Sequence, residues 1–459
     1  MKKQKIIITL ICSLFIICGK VVGSDKKDTK TRPNIIFIFA DDWGYGDIGK
    51  HGSSFCKTPN LDRMIDEGMD FSNFTVNHPV CSPSRTAVMT GQFPARHSIH
   101  RHFANIKHHI ETGMPDWLDP TAPMLPRMLK NAGYKTGHFG KWHLTNSTIN
   151  DAPMPEQYGY DEYAAFNIPG EQIKTSEAVP EALKFIRKNK NKPFFVNLWL
   201  HETHLPHFPL QEYLEQFKDL DERKKVYAAV VAEGDAGVGA VLDLLKELNI
   251  DENTLVIFSS DNGPEWPGKE NHKKKGKNGL GSYYCVGETG GLKGQKRSLF
   301  AGGVRVPFIV HWPNVVPAGK INTSSVITAV DILPTFLDIA GLDLPKSYSP
   351  DGESFLPAIK GEGFKREKPI FWEWKGMHNR EYLWPHLGIR KGKWKLITNK
   401  KLGKTELYNL EEDWAEHNNV SEANPDIVKE LYEILYDWKE TLPREPKASC
   451  ISNQRKSNN

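Results

Sequence analysis

The chain has 459 residues, of which 39% are hydrophobic, 10% aromatic and 25% charged; this favours one large α/β domain with a smaller one and excludes disorder throughout. With 60 Lys and Arg residues against 56 Asp and Glu, the net charge is only +4, which excludes nucleic-acid binding through bulk charge. A mean hydropathy of −0.50 excludes a polytopic membrane protein.

The N-terminal residues have the three parts of a secretory signal. Lys2, Lys3 and Lys5 precede an apolar run over residues 6–17, and small and polar residues follow at 21–24. We therefore expect residues 1–24 to be a signal peptide and the mature protein to be periplasmic or secreted. The apolar run is shorter than the roughly 20 residues of a membrane span, so no stable membrane span is expected. An uncleaved N-terminal anchor is the alternative.

Three apolar runs, at residues 34–40, 194–200 and 254–260, each end in polar residues. Their length and lack of alternation predict strands buried on both faces, and hence a parallel sheet flanked by helices. The polar residues that follow the runs are Asp41 and Asp42, then His201 to His204, then Asp261 and Asn262. Because sites in such sheets lie beyond the carboxyl ends of the strands, we expect these clusters at one edge.

The pattern changes after about residue 365. Short apolar stretches at 369–374, 394–398 and 406–410 predict antiparallel strands, and residues 426–442 predict a closing helix. The predicted fold class is therefore α/β, with a large mixed, mostly parallel sheet flanked by helices and a smaller C-terminal α+β subdomain.

The predicted boundaries follow from these changes in pattern. We expect the large domain to cover residues 33–364 and the C-terminal antiparallel-sheet subdomain to cover 365–442. Residues 443–459 combine Pro, Lys, Ser and Asn without periodicity and are expected to be a disordered tail.

The paired acidic and amide residues after the strands predict a metal site. Asp41, Asp42, Asp261 and Asn262 offer the oxygen ligands that a hard cation such as Ca²⁺ prefers. Three carboxylates this close repel one another unless a cation lies among them. The alternative is that each Asp only caps a helix after its strand.

Cys81 begins a predicted helix, because Pro83 suits a first helical turn. The helix N-terminus favours an anion at Cys81, and Arg85 returns to the same helix face four residues later. A thiol here could be a reactive nucleophile. A soft sulfur is nevertheless a poor partner for a hard, oxygen-bound cation. The chemistry of the residues alone leaves this conflict open.

The sequence Cys81-Ser82-Pro83-Ser84-Arg85, followed by Thr90-Gly91, resembles the signature of the sulfatase family, which is formylglycine-dependent and has an alkaline-phosphatase-like fold. The further segments that resemble this family, in its order, are Pro33-Asn34 through Asp41-Asp42-Trp43-Gly44, Thr58-Pro59-Asn60-Leu61-Asp62, Gly140-Lys141-Trp142-His143-Leu144, Thr203-His204-Leu205-Pro206, Ser260-Asp261-Asn262-Gly263, Gly291-Leu292-Lys293-Gly294-Gln295-Lys296 and Gly302-Gly303-Val304-Arg305-Val306-Pro307. One position departs from the family: Ala301 stands where an acidic residue often precedes the Gly pair.

The resemblance implies a site and its cofactors. Cys81 is expected to be oxidised to formylglycine (3-oxoalanine), whose hydrate is a hard oxygen ligand and a nucleophile. One Ca²⁺ is expected on Asp41, Asp42, Asp261, Asn262 and modified Cys81. The expected roles of the basic residues are stabilisation of the hydrate by Arg85 and Lys141, base catalysis by His143, and sulfate binding with leaving-group protonation by His204 and Lys296.

The resemblance also implies partners. The expected substrate is a sulfated carbohydrate, such as ulvan, carrageenan or a glycosaminoglycan, and a formylglycine-generating enzyme or anaerobic maturase would act on Cys81. No nucleic acid is expected. One alternative is a phosphatase or phosphodiesterase of the same superfamily, although Asn262 stands where zinc would favour His. A non-catalytic glycan-binding relative is the other alternative.

Overall fold

The computed structural model describes residues 32–276, 279–376 and 383–458. The strands are β1 (Asn34–Ala40), β2 (Met69–Phe71), β3 (Phe74–Thr75), β4 (Lys135–Lys141), β5 (Glu162–Phe166), β6 (Phe194–Trp199), β7 (Thr254–Ser260), β8 (Lys274–Lys275), β9 (Gly279–Leu280), β10 (Phe308–His311), β11 (Lys320–Asn322), β12 (Ile327–Thr328), β13 (Ile370–Glu373), β14 (Leu387–Lys391), β15 (Trp394–Asn399) and β16 (Lys404–Asn409). The helices are α1 (Pro59–Glu67), α2 (Cys81–Thr90), α3 (Ile106–Thr112), α4 (Leu125–Asn131), α5 (Ala178–Asn189), α6 (Gln211–Gln216), α7 (Glu222–Glu247), α8 (Ala301–Val304), α9 (Ile332–Ile339), α10 (Leu356–Ile359) and α11 (Pro425–Glu440).

The large sheet has eight strands in the order β11-β2-β10-β7-β1-β6-β4-β5. Within it only β10 runs against its neighbours, β2 and β7. The three apolar runs form adjacent parallel strands, with β1 between β6 and β7. The predicted fold class, a mixed and mostly parallel sheet with a smaller antiparallel one, is confirmed.

The position of β1 in the sheet explains why residues 34–40 are apolar without alternation. Ile35, Phe37 and Phe39 lie in the core on one side of the sheet. Ile36 and Ile38 lie in the core on the other side, which α5 and α7 help to cover. Each strand residue is therefore buried, because its side chains alternate between two covered faces.

The small sheet has the order β13-β14-β15-β16 and is antiparallel throughout. Its residues belong to the same apolar core as one face of the large sheet. Trp372 of β13 donates from Nε1 to the Val76 carbonyl at 2.8 Å. The boundary between residues 364 and 365 stays a prediction.

The prediction of a disordered tail at 443–459 is wrong for the residues that the structure describes. Short helical turns form at Ala448–Cys450 and Asn453–Asn458. Buried Asp116 accepts hydrogen bonds from the Ser452 backbone N–H at 2.8 Å and from Arg455 Nε at 2.7 Å. The polar residues of this segment are ordered by hydrogen bonds to distant polar side chains, and composition alone does not reveal such contacts.

The predicted signal peptide, residues 1–24, lies outside the described residues and stays a prediction. Among the helices that the structure describes, none is both long and apolar enough to cross a membrane. Cys56, Cys81, Cys285 and Cys450 are buried free thiols.

Candidate active site

The parallel strands β1 and β7 bring two acidic pairs to one level of the sheet edge. Ala40 lies opposite Ser260, so Asp41 and Asp42 emerge beside Asp261. The Asp42 N–H donates to Asp261 Oδ1 at 3.3 Å. Asp42 has a φ of +64°, an uncommon conformation for a non-glycine residue, and this turn directs both carboxylates into the site.

Helix α2 delivers Cys81 to the same place. It is buried along its whole length and begins at Cys81, after an extended Val80. Cys81 Sγ lies 3.3 Å from Asp41 Oδ1 and 3.6 Å from Lys141 Nζ. Burial, followed by Asp261 and Asp41, raises the pKa of the Cys81 thiol well above its usual value. The thiol is therefore neutral, which argues against a thiolate nucleophile at this position.

Arg85 lies one helical turn after Cys81, as its spacing predicted. Its Nη2 is 2.6 Å from Asp261 Oδ2 and 3.6 Å from Asp41 Oδ2. The guanidinium also lies 4.7 Å from the centre of the Trp199 ring. These contacts fix a fully buried cation directly beside the carboxylates.

Two lysines complete the charge balance of the site. Lys141, the last residue of β4, contacts Asp41, and Lys296 Nζ lies 2.5 Å from Asp42 Oδ1. Burial, followed by the neighbouring Asp41 carboxylate, raises the pKa of Asp261 to about 7, although Arg85 and Lys141 oppose this. Burial likewise raises the pKa of Asp42, although Lys296 opposes it. Burial thus favours the neutral form of both carboxyl groups, and the cations that lie against them oppose it.

His143 is held in a form that can accept a proton. Its Nε2 lies 2.9 Å from the Phe103 carbonyl oxygen, so this nitrogen must donate. The other ring nitrogen, Nδ1, is buried without a hydrogen-bond partner among the described residues. Burial, followed by Lys141 and His102, holds the pKa of His143 well below its usual value. A neutral imidazole with a free lone pair is the form that a general base requires.

His204 lies beside the second aspartate of the first acidic pair, with its Nε2 3.8 Å from Asp42 Oδ2. Its Nδ1 donates to the Leu205 carbonyl at 2.7 Å, which leaves Nε2 toward the site. The structure therefore brings together every residue that the sequence selected: Asp41, Asp42, Cys81, Arg85, Lys141, His143, His204, Asp261, Asn262 and Lys296.

Sequence reasoning missed His201. Its Nδ1 lies 2.7 Å from Asp41 Oδ2, and its ring stacks on that of His204 with a centroid distance of 4.5 Å. The available signal was its position two residues after β6, at the same edge as the acidic pairs. The contact orients a carboxylate of the candidate metal site.

The histidines after α2 divide between the site and its support. The His102 ring lies 6.2 Å from that of His143. His109 Nε2 accepts from the Ala104 N–H at 2.9 Å, and its Nδ1 donates to Asp116 at 2.7 Å. His109 is therefore structural, whereas His102 lies on the wall of the active site.

The donor set fits a hard cation. Asn262 donates from Nδ2 to Asp42 Oδ1 at 2.7 Å, which leaves its Oδ1 buried and without a partner among the described residues. Potential ligand atoms of Asp41, Asp42, Cys81 and His204 lie within 4.8 Å of one another. Carboxylate and amide oxygens suit Ca²⁺, and an oxygen in place of the Cys81 sulfur would suit it better.

Comparisons with known proteins agree with this geometry. A family model described as Sulfatase matches residues 33–342, and one described as N-sulphoglucosamine sulphohydrolase, C-terminal, matches residues 287–441. The N-acetylgalactosamine-6-sulfatase of Canis lupus familiaris is 34% identical over 382 residues, covering 74% of this chain and 68% of that protein. The N-acetylgalactosamine-6-O-sulfatase of Bacteroides thetaiotaomicron is 25% identical, covering 91% of this chain and 95% of that protein.

Solved structures show the same similarity. The crystal structure of Ps i-CgsB in complex with k-i-k-neocarrahexaose matches with a TM-score of 0.75 and 29% identity, over 91% of this chain and 96% of that one. A phosphonate monoester hydrolase of Agrobacterium radiobacter matches with a TM-score of 0.64 and 18% identity, over 89% of this chain and 96% of that one, which shows a common fold alone.

Proposed function

Because the chain belongs to the sulfatase family of sulfuric ester hydrolases with an alkaline-phosphatase-like fold, we propose that it removes sulfate from a sulfated carbohydrate. Two features of the relatives support this substrate class. One relative is named for N-acetylgalactosamine 6-sulfate chemistry, and one structural neighbour was crystallised with a neocarrahexaose. Ulvan, carrageenan and glycosaminoglycans are the substrates that we propose to test.

The observation that carries the mechanism is the position of Cys81. A neutral thiol lies 3.3 Å from a carboxylate oxygen of Asp41, at the start of a helix and among three cations. This environment suits an anionic oxygen better than a sulfur. Formylglycine made from Cys81 would supply a hydrated aldehyde as the nucleophile. The oxidant belongs to a partner, a formylglycine-generating enzyme or an anaerobic maturase.

Asp41, Asp42, Asp261 and Asn262, with the oxygen at position 81, would hold one Ca²⁺. Bound there, the ion would supply Lewis-acid polarisation of the sulfate group. Arg85 would lie against this assembly from the α2 side and fix the carboxylates by its two contacts. Because burial makes uncompensated carboxylates costly, the protein's own cations and the bound ion would together favour the ionised form of the ligands.

The remaining residues bind the substrate and move protons. Lys141 holds the oxygen at position 81, and His143 Nδ1 takes up the proton that the hydrate releases when sulfate leaves. Lys296 and His204 flank Asp42 and bind the sulfate oxygens. One of these two donates the proton that the leaving alcohol needs. Charged donors in a buried site stabilise the transferring sulfate more than they would in water.

Peptide mass and sulfate release together test the proposed role of Cys81. We expect the Cys81 peptide of active protein to have lost the mass difference between CH₂SH and CHO. Sulfate release from defined sulfated oligosaccharides should fall by about 10⁴-fold or more in Cys81→Ala, because the nucleophile is absent. Cys56→Ala, which changes a buried free thiol outside the site, is the matched control and should retain activity. An unmodified thiol at position 81 in fully active protein would refute the mechanism.

Phosphate and sulfate esters should be assayed side by side with Ca²⁺ and with Zn²⁺. A preference for phosphate esters with Zn²⁺ would favour the phosphatase alternative, and binding without turnover would favour a glycan-binding relative.

We also propose that residues 1–24 direct export and are removed, which leaves the enzyme periplasmic or secreted. N-terminal sequencing of the exported protein tests this. A membrane-bound protein that still begins at Met1 would instead indicate an uncleaved anchor.

A further inference from the structure

A second cavity lies at the same edge of the large sheet as the active site. Its volume is about 1000 Å³, within the usual range for ligand pockets. Ser72 and Asn73 line it directly after β2, Ser324 lines it after β11, and Arg305 lines it before β10. The described residues that line it include none of the catalytic or metal-site residues named above.

The sheet order gives the separation between the two places. Two strand spacings separate β10 from β1, and three separate β2 from β1. At roughly 4.8 Å per strand, the ends of β10 and β2 that border the cavity are offset by about 10–15 Å along the sheet edge from the end of β1, where Asp41 follows. This span is longer than one sugar ring, so a group in the cavity and a sulfate in the active site would belong to different sugar units.

The cavity carries excess positive charge. Its described lining holds seven Lys and Arg residues and two Glu residues. Asp331 pairs with Arg366 at 2.5 Å and Glu430 pairs with Lys391 at 2.8 Å from outside the lining, and the seven cations still outnumber these four carboxylates. Arg305 and Arg390 are each only 4% exposed. Burial, followed by the positive charges of Arg305 and Arg366, lowers the pKa of Arg390 to about 9, although Glu416 opposes this. The arginines therefore repel one another across the cavity, and an anion between them would relieve that repulsion.

The hydrogen bonding of these arginines is incomplete. Arg305 Nε and Arg366 Nη2 are buried without a hydrogen-bond partner among the described residues. Arg390 is held in place, because Nη1 donates to Asn73 Oδ1 at 2.8 Å and Nε donates to the Gly392 carbonyl at 3.1 Å. Guanidinium groups recognise tetrahedral oxyanions through such fixed donors.

Aromatic side chains line the same cavity. Trp414 is 41% exposed, and the Arg305 guanidinium lies 5.4 Å from its ring centre. Tyr45 packs edge-on against Trp414 with a centroid distance of 5.7 Å. An exposed indole beside fixed cations offers both an apolar face for a sugar ring and charge for its sulfate.

We propose that this cavity binds a sulfated sugar unit of a polysaccharide, separately from the unit that is hydrolysed. This inference rests on the proposed function for the class of ligand. The cavity would give the protein higher affinity for polysulfated chains than for single sulfated sugars, because two sites on one chain bind together.

The test measures the binding of sulfated dextran oligosaccharides to the full chain by calorimetry, with unsulfated dextran of equal length as the comparison. Lys365→Gln/Lys393→Gln removes two cavity charges from exposed or half-buried positions. We expect its dissociation constant to rise about fivefold. Lys184→Gln/Lys188→Gln removes two exposed charges from α5, near the other end of the sheet, and should change it less than twofold.

Two further measurements locate the ligand. Arg390→Gln should weaken binding about tenfold or more, because a fixed charged donor is lost. Saturating sulfated dextran should slow acetylation of Lys365 and Lys393, mapped by mass spectrometry, and leave Lys184 unchanged.

The proposal is wrong if the two double variants lose equal affinity, if unsulfated dextran binds equally well, or if the cavity lysines are not protected. None of these readouts needs turnover. Failure of the proposed function, seen as absence of sulfate release, is therefore distinguishable from failure of this inference.

Discussion

Glu416→Gln tests how the small sheet supports the loop that carries Lys296. Lys395 of β15 donates from Nζ to Glu416 Oε1 at 2.6 Å and to the Leu299 carbonyl at 2.8 Å. Glu416 Oε2 accepts from the Ala301 N–H at 2.8 Å. Both charged side chains are almost fully buried, at 2% and 1% exposure. The Glu416 carboxylate thus contacts position 301, where this chain has Ala and the family often has an acidic residue.

The magnitude follows from this burial. Breaking a buried ion pair by removing one partner costs about 3–5 kcal/mol, because the other charge stays buried and unpaired. Gln keeps an oxygen for the Ala301 N–H, so we expect a loss of about 3 kcal/mol in the free energy of unfolding. Adding Lys395→Met removes the unpaired ammonium, so the double variant should recover about 2 kcal/mol of this loss.

Urea unfolding followed by circular dichroism measures both values. The matched control is Glu430→Gln, because Glu430 pairs with Lys391 at 2.8 Å while both are about half exposed. Glu430→Gln should lower the free energy of unfolding by less than about 1 kcal/mol. The reasoning fails if Glu416→Gln costs no more than Glu430→Gln, or if Lys395→Met adds to the loss instead of reducing it.

Three shorter predictions concern pH, orientation and metal. Burial lowers the pKa of His51, but the 2.9 Å contact with Asp70 outweighs burial, so the net pKa is raised. The stability that this pair contributes is fully present below about pH 6.5 and is lost as pH rises through the raised pKa. Asp70→Asn should therefore lower Tm more at pH 5.5 than at pH 9, and an equal loss at both would contradict this. His201→Asn should reduce sulfate release roughly 10–100-fold by misorienting Asp41, with Ca²⁺ affinity by calorimetry falling in parallel; unchanged affinity would contradict the positioning role. EGTA should lower Tm, and Ca²⁺ at about 100 times its dissociation constant should restore roughly 2.7 kcal/mol; a Tm indifferent to EGTA would contradict the calcium proposal.

The sequence sufficed for the centre of the sheet and for the grouping of the acidic pairs at its edge. An apolar run such as 34–40 is long enough to identify a strand buried on two faces, and the polar pair after it must then emerge at the carboxyl edge. That argument predicted the grouping of Asp41 with Asp261. It holds because parallel neighbours in register end at one level, as Ala40 and Ser260 do.

The features that the sequence did not predict depend on strand direction and on contacts between side chains. The reversed strand β10 is a buried strand of only four residues, three apolar ones and His311, and a stretch this short does not indicate the direction of the strand. His201 was recognisable as a residue at the edge, but its contact with Asp41 depends on side-chain orientation, which spacing does not encode. The segment 448–455 folds because Asp116, more than 300 residues away, accepts its donors.

That last contact connects the C-terminal segment to His143, the proposed general base, through a chain of hydrogen bonds. Arg455 binds Asp116, Asp116 binds His109, His109 binds the Ala104 N–H, and the adjacent carbonyl holds His143. During translation, the segment is synthesised after every candidate site residue. A premature stop codon shortly before residue 448 would therefore yield a polypeptide that contains every candidate site residue. In it, the backbone carbonyl that binds His143, the proposed general base, would lose the contacts that support it.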